Sequence, residues 1–508
     1  MMKLSKKNIL SSGTDSSKEL AAVMELPEKV LQFGTGVLLR GLPDYFIDKA
    51  NKQGLFNGRV VIVKSTDGGD FNAFREQDGL YTQAIRGIEN GKEVSENIIN
   101  ASVSRVLSAK AEWNEILACA ANPDMQIVIS NTTEVGIQLL DNDDMNAAPP
   151  ESFPCKLLAF LYKRFQVFNG DPEKGMVILP TELIIGNADK LKSIVLQLAA
   201  KHNLQETFIN WLNDANHFCN TLVDRIVPGK LSAADKSEVE TVTGFTDDLM
   251  IISECYALWA IESDNKKVKD ALSFSTAVEG VVIAANIDKF RELKLRLLNG
   301  THTFTSGLAY IAGITTVKEA MDNELIAGFA GNIMISEIAP QIINEDLTNE
   351  EASKFAMQVL DRFRNPRIQH LWLNITVQYS MKMKMRNVPL LLNHYSRSNE
   401  VPELMATGFA AHILFMKCEK SEDGKYYGTL NNASYPVQDD YAGWYQTKWQ
   451  EHGTEGVVEY MLNDAGFWGS DLAKLPGFAA AVQQKLNYLI NGDIYSTVKN
   501  HQPEKATV

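Results

Sequence analysis

An α/β domain built on a parallel sheet, followed by a mainly α-helical domain, is the fold class that three observations predict. Short apolar strands without polar alternation recur through the first half, as in sheets covered on both faces. Helical stretches separate them, which implies right-handed crossovers and a doubly wound sheet. From about Asp288 onward, long helical runs take over and strand signals nearly vanish.

The strands come first. Lys29–Phe33, Val60–Val63, Gln126–Ser130 and Met176–Leu179 are the apolar runs, with helices expected at Val37–Gln53, Trp113–Ala121 and Pro154–Phe168. Residues 1–26, rich in Ser and Lys, are expected to form a weakly ordered arm; 27–284 form the α/β domain and 285–508 the helical domain. The helical runs there are Phe290–Ala312, Thr316–Met321, Ile333–Ile343, Asn349–Arg364, Ile368–Met385, Glu403–Glu419 and Gly477–Tyr488, with Glu419–Asp440 a turn-rich surface excursion.

Length and composition bound the function. The 508 residues suit two domains, and 45% hydrophobic with 22% charged residues is ordinary for a globular protein. A net charge of −14 argues against nucleic acid as a partner, which wants a basic face. Five scattered cysteines with no Cys-x-x-Cys pair argue against a zinc site or a disulfide framework and fit a reducing compartment. No apolar leader is evident at Met1–Ser12, and no stretch reads as a membrane span, so a cytoplasmic protein without a membrane partner is expected.

Gly34-Thr-Gly36 follows the first strand and opens a helix. Two glycines let the backbone approach a pyrophosphate, and the helix start offers free N–H groups. This makes a Rossmann-like dinucleotide site of Gly34, Gly36 and Arg40, although the third glycine of the usual fingerprint is replaced by Leu39. After the second strand, Asp67 is a candidate for a ribose hydroxyl, while Lys64 would tolerate a 2′-phosphate; NAD and NADP both remain open there. Ser130-Asn131-Thr132-Thr133 ends a later strand and suits ribose contacts, as does a plain polar loop.

The second constellation is Lys294-x4-Asn299-x2-His302. Eight residues of α-helix put Lys294 and His302 about 80° apart, and Asn299 and His302 are surface neighbours. An amine, a carboxamide donor and an imidazole suit proton exchange with a hydroxyl or carbonyl without a metal. Asn220 in Asn220-Thr-Leu-Val-Asp224-Arg225 is a further amide candidate, with a turn cap as the plain alternative. Arg362–Arg367 and the basic face Lys382-Met-Lys384-Met-Arg386 are where a carboxylate partner is best sought.

These motifs together resemble the polyol-specific long-chain dehydrogenases, the mannitol dehydrogenase family: Gly34-x-Gly36-x3-Arg40, Asp78-Gly-Leu-Tyr81, Asn220-x2-Val-Asp-Arg225, Lys294-x4-Asn299-x2-His302 and Arg362-Phe-x-Asn365-Pro366, over the chain from about Val30. Gln32-Phe-Gly34, Ser130-Asn-Thr-Thr-Glu134, Phe218–Ile226 and Tyr435–Asp440 resemble the branch that acts on keto sugar acids. The resemblance implies a metal-independent, NAD-dependent oxidoreductase of a small sugar acid. It implies Lys294 as general acid/base, Asn220 and Asn299 on the reacting oxygen, His302 as an orienting group, and Arg362 on substrate hydroxyls. Asn365, His370 and Lys382 join Arg362 as candidate substrate-binding residues. Sister enzymes acting on fructuronate or mannitol, and an NAD-binding sensor without activity, are the competing readings.

Overall fold

The computed structural model describes residues 1–65, 71–132, 136–430 and 432–499. The chain divides into two units: Met1–Gly87 with Glu93–Ile287, and Ile88–Lys92 with the chain from Asp288.

The first unit is organised by a six-stranded parallel sheet: β1 (Glu28–Phe33), β2 (Arg59–Lys64), β3 (Val103–Ser108), β4 (Ile127–Ser130), β5 (Val177–Pro180) and β6 (His217–Phe218). The spatial order is β3-β2-β1-β4-β5-β6. The direction in which successive strands are added therefore reverses between β1 and β4, the crevice where dinucleotides bind in this topology. Every residue of β2 and β4 is buried. Alternate side chains serve opposite faces: Leu31, Phe33, Val61, Val63 and Val128 pack with Trp113, Phe153 and Phe160, whereas Val30, Val60, Ile62, Ile127 and Ile129 pack with Phe46, Trp259 and Phe274. Two covered faces explain why these strands read as unbroken apolar runs.

Residues 1–26 correct the expectation of a weakly ordered arm. Met2–Lys3 pairs in parallel with Phe245–Thr246, and two helices follow, Lys6–Ser12 and Asp15–Met24. The polar residues that suggested disorder are helix caps: Ser5 and Thr14 side-chain oxygens accept from the Asn8 and Ser17 amides. Leu4, Ile9, Leu20, Val23 and Met24 close over Leu80 and Ala101.

The second unit is mainly helical. Three of its segments are wound as π-helix: Leu293–Gly300, Ile333–Ile338 and Met383–Asn387. The Glu419–Asp440 excursion contains an antiparallel meander, Cys418–Lys420, Tyr426–Leu430 and Ala433–Pro436. The expectation that no stretch matches a membrane span also needs correction. Glu324–Ile342 does so by length and composition, with a mean hydropathy of 1.3; 44% of that stretch is buried inside the protein, including Phe329, Ile333 and Met334.

Candidate active site

In the first unit, Gly34 lies at the end of β1 with φ +133°, a backbone conformation that favours glycine. A Cβ there would meet Leu39 Cδ1 at 2.9 Å and the Asn131 carbonyl at 3.2 Å, so the turn is closed down onto the end of β4. At Gly36 a Cβ would meet nothing within 4 Å, leaving the backbone open to an approaching group. The expected helix Val37–Gln53 is two helices, Val37–Gly41 and Pro43–Lys52, broken at Leu42. The residue before a proline avoids helical angles, and Pro43 starts the second helix at the position where a missing N–H costs least. Gly34, Gly36 and Asn131 thus meet at the β1–β4 crevice, where an open glycine cradle fits a dinucleotide. Asn131 spends its Nδ2 on the Thr181 carbonyl and hydroxyl, at 3.1 and 3.0 Å. Asp67 and Thr133 lie outside the described residues.

Two residues expected at the site have partners elsewhere. Arg40 is 8% exposed; its guanidinium is turned into the domain, donating to the Leu249 carbonyl at 2.6 Å and lying over Phe74 and Tyr81. Asn220 takes the plain alternative: its Oδ1 accepts from the Ala188 and Asp189 amides at 3.0 and 3.3 Å, and its Nδ2 donates to Asp189 at 2.8 Å. It therefore caps the helix Asn187–Lys201 and keeps one amide N–H beyond these bonds. Sequence reasoning missed Glu182, whose carboxylate accepts from Ser130 Oγ, the Thr132 amide and Thr132 Oγ1 at 3.2, 2.8 and 3.0 Å, tying the end of β4. A single acidic residue after a strand gives no signal of such a role.

In the second unit, Lys294 and Asn299 both belong to the π segment Leu293–Gly300. In an α-helix residues five apart lie about 140° from each other. In a π-helix the residue at i bonds the one at i+5, so the wider turn brings Lys294 and Asn299 towards one side. The same unwinding carries His302, at the start of the following helix Thr301–Ile311, towards that side as well. The expected 80° separation therefore overstates their divergence.

Gly300 lets this segment approach its neighbour. A Cβ there would meet Asn387 Oδ1 at 3.1 Å, and Asn387 Nδ2 reaches the Gly300 carbonyl at 3.4 Å. Arg296 donates from Nη1 to the carbonyls of Met385 and Arg386, at 2.9 and 2.6 Å. Arg386 Nη1 in turn donates to Thr303 Oγ1 at 3.1 Å. The two π segments are thus bound together by side chain–backbone bonds, an arrangement that sequence spacing alone does not show.

His302 is 8% exposed and stacks on Phe363 at 4.1 Å, with His370 and Trp372 edge-on at 5.3 and 5.9 Å. Burial, and then the charges of His370, Arg362, Arg386 and Lys382, hold its imidazole well below the usual histidine range. It is therefore neutral near pH 7, and its Nε2 is buried with no hydrogen-bond partner among the described residues. A buried unpaired nitrogen is costly, and a substrate hydroxyl is the kind of group that would satisfy it. Arg362, Lys382, Arg386 and His370 thus gather round His302, giving a basic surround. Arg362 is 7% exposed near the end of the helix Asn349–Arg364. Asn365 follows it, and its Oδ1 accepts from the Arg367 amide at 3.0 Å, so half of its amide is spent on the turn. Among the described residues no group of three or more His, Cys, Asp or Glu side chains is placed to hold a metal ion.

Comparison with known proteins bears on both units. The mannitol dehydrogenase Rossmann domain matches residues 28–273, and the mannitol dehydrogenase C-terminal domain matches residues 286–490. Altronate oxidoreductase of Pectobacterium carotovorum subsp. carotovorum (strain PC1) is 38% identical over 484 residues, 94% of this chain and 97% of that protein. The Shigella flexneri altronate oxidoreductase is 36% identical over the same shares. Among solved structures, the ternary complex of Pseudomonas fluorescens mannitol 2-dehydrogenase with NAD and D-mannitol superposes with a TM-score of 0.64 at 21% identity, covering 98% of this chain and 99% of that one. A substrate-free D-sorbitol dehydrogenase gives a TM-score of 0.72 at 17% identity, covering 94% of this chain and 96% of that one. At these identities the two structures speak for the fold.

Proposed function

The chain belongs to the mannitol dehydrogenase family, and from that premise we propose that it is a cytoplasmic, NAD-dependent, metal-independent oxidoreductase interconverting D-tagaturonate and D-altronate in hexuronate (galacturonate) breakdown. The observation that carries this reading is the π-wound Lys294–Asn299 pair leading into a buried, neutral His302 with an unpaired Nε2 and a basic surround. The altronate oxidoreductases at 36–38% identity supply the substrate class, and a sugar acid is the substrate that a basic surround favours over a neutral hexitol. The cofactor assignment rests on the open turn at Gly34 and Gly36, the β1–β4 crevice, and the NAD in the mannitol 2-dehydrogenase complex.

In this reading Gly34, Gly36 and Asn131 hold the dinucleotide, whose nicotinamide, when bound, supplies or takes up the hydride. Lys294 Nζ gives a proton to the alkoxide oxygen as the ketone is reduced, and neutral Lys294 removes it in the reverse direction. Asn299 donates its amide N–H to the same oxygen, a preorganised contact of the kind worth about 3 kcal/mol in comparable sites. His302 Nε2 meets a substrate hydroxyl as a neutral partner and takes no proton of its own. Arg362 and His370 bind further oxygens. Asn220 spends one of its two amide N–H groups on Asp189, and the other is the donor it would bring to the alkoxide oxygen.

The test is turnover of NADH by the purified protein with tagaturonate, fructuronate and fructose in parallel. Preference for tagaturonate, undiminished by a chelator, is expected. Preference for fructose would end the sugar-acid proposal, and NADH binding without turnover of any of the three would point to a sensor.

A further inference from the structure

A sugar acid brings a carboxylate at the end of its chain remote from the reacting carbon, and near His302 the helical unit holds Lys382 and Arg386. Lys382 ends the helix Tyr379–Lys382 and Arg386 lies in the π segment Met383–Asn387. Among the described residues neither makes an ion pair. Lys382 Nζ donates to the Ile375 carbonyl at 2.7 Å, and the one hydrogen bond of Arg386 goes to Thr303 Oγ1 at 3.1 Å. A guanidinium has five N–H donors in a planar fork, so most of Arg386 remains for a ligand. Both groups are half-buried, and both feel it. Burial brings Arg386 down to about 10, while burial and then the Arg386 charge bring Lys382 down to about 8, against a weaker opposite pull from Asp439. Two desolvated like charges side by side cost stability unless an anion joins them.

Position adds a second argument. Arg386 is hydrogen-bonded to the residue next to His302, and its own backbone carbonyl is held by Arg296, two residues beyond Lys294. These bonds tie Arg386 to the segments that carry Lys294 and His302, as holding the far end of their substrate requires. Arg362 sits deeper and already has partners, so it is less suited to capture a ligand carboxylate.

We infer that Arg386, seconded by Lys382, binds the substrate carboxylate and is the residue that selects a sugar acid over its neutral analogue. The inference rests on the function proposed above and names the part of the site that sets its specificity.

Steady-state kinetics of the full-length enzyme with NADH, on tagaturonate and on D-tagatose at high concentration, test this. Losing one charge-assisted hydrogen-bonded contact is expected to raise KM for tagaturonate about 10–100-fold in Arg386→Gln, with kcat changed far less. The ratio of kcat/KM for tagaturonate over tagatose falls correspondingly, and Arg386→Lys recovers part of it. Lys382→Met, which leaves the Thr303 contact intact, is expected to shift KM in the same direction by a smaller factor; it serves if Arg386→Gln fails to fold, judged by NADH binding. An active enzyme whose tagaturonate KM ignores the substitutions, or whose kcat falls as much as KM rises, overturns the inference alone. An unaltered enzyme that reduces no hexuronate overturns the proposed function and this inference together.

Discussion

Lys294 is asked to give and take one proton at one oxygen, and replacing it isolates that task. Lys294→Ala is expected to lower kcat about 10²–10⁴-fold in both directions. NADH affinity, read from nucleotide fluorescence on titration, should change by no more than a few-fold. Normal turnover by that variant would remove the lysine from the chemistry. At this scale the sequence was readable where the residues are close in the chain: Lys294, Asn299 and His302 lie within one short stretch, and their types alone suggest proton exchange. It was unreadable where a side chain is spent on a distant backbone. Asn220 caps a helix that starts at Asn187, and Arg40 reaches the Leu249 carbonyl, and no local motif records either bond. The basic face Lys382–Arg386 was visible as a place for a carboxylate, but the choice of Arg386 depends on its contact with Thr303.

The elements that position these residues are a glycine turn and two packed π segments, and a pair of glycine substitutions separates their roles. Gly36→Ala places a methyl in open space, so the protein should fold with stability within about 1 kcal/mol of normal, while NADH affinity falls because the backbone can no longer be approached closely. Equal NADH affinity would show that no ligand comes near Gly36. Gly300→Ala drives a Cβ towards Asn387 Oδ1 at 3.1 Å and should destabilise by about 1–3 kcal/mol in urea melts. It should also lower kcat, since Arg296 and Asn387 tie the lysine-bearing segment to its neighbour. Stability and kcat both unchanged would mean that the two π segments need not touch. The strands β1, β2, β4 and β5 were legible because both sheet faces are covered, leaving mainly apolar residues in each run, with Gln32 of β1 buried against Asp44. The π winding was not, because Lys294–Gly300 has the apolar spacing of an ordinary helix and its extra turn width comes from packing. The helices before Met24 were hidden by capping Ser and Thr residues, which also mark loops.

Across the whole molecule, burial of neutral imidazoles sets an acid limit. His302 and His412 are both lowered by burial, His412 to about 3. Above about pH 6.5 these histidines are neutral folded or unfolded and cost nothing. As pH falls below that value the unfolded chain takes up protons that the folded chain refuses, and stability is lost progressively. Glu337, raised by burial to about 7, works the other way: its contribution is present in acid and is lost as pH rises through 7. The urea midpoint of His412→Asn should therefore fall less steeply between pH 6.5 and 5 than that of the unaltered protein, and parallel slopes would refute the linkage. Two domains, a parallel sheet and then helices follow from the order of apolar patterns along the chain, which explains why the architecture was legible before any contact was known. The claim on which the rest depends is hydride exchange between a nicotinamide and a keto sugar acid, and parallel assays of NADH and NADPH oxidation with tagaturonate and fructuronate test it most directly. Rapid oxidation of NADH with tagaturonate, well above every other pairing, is the expected result; oxidation with neither uronate would contradict it.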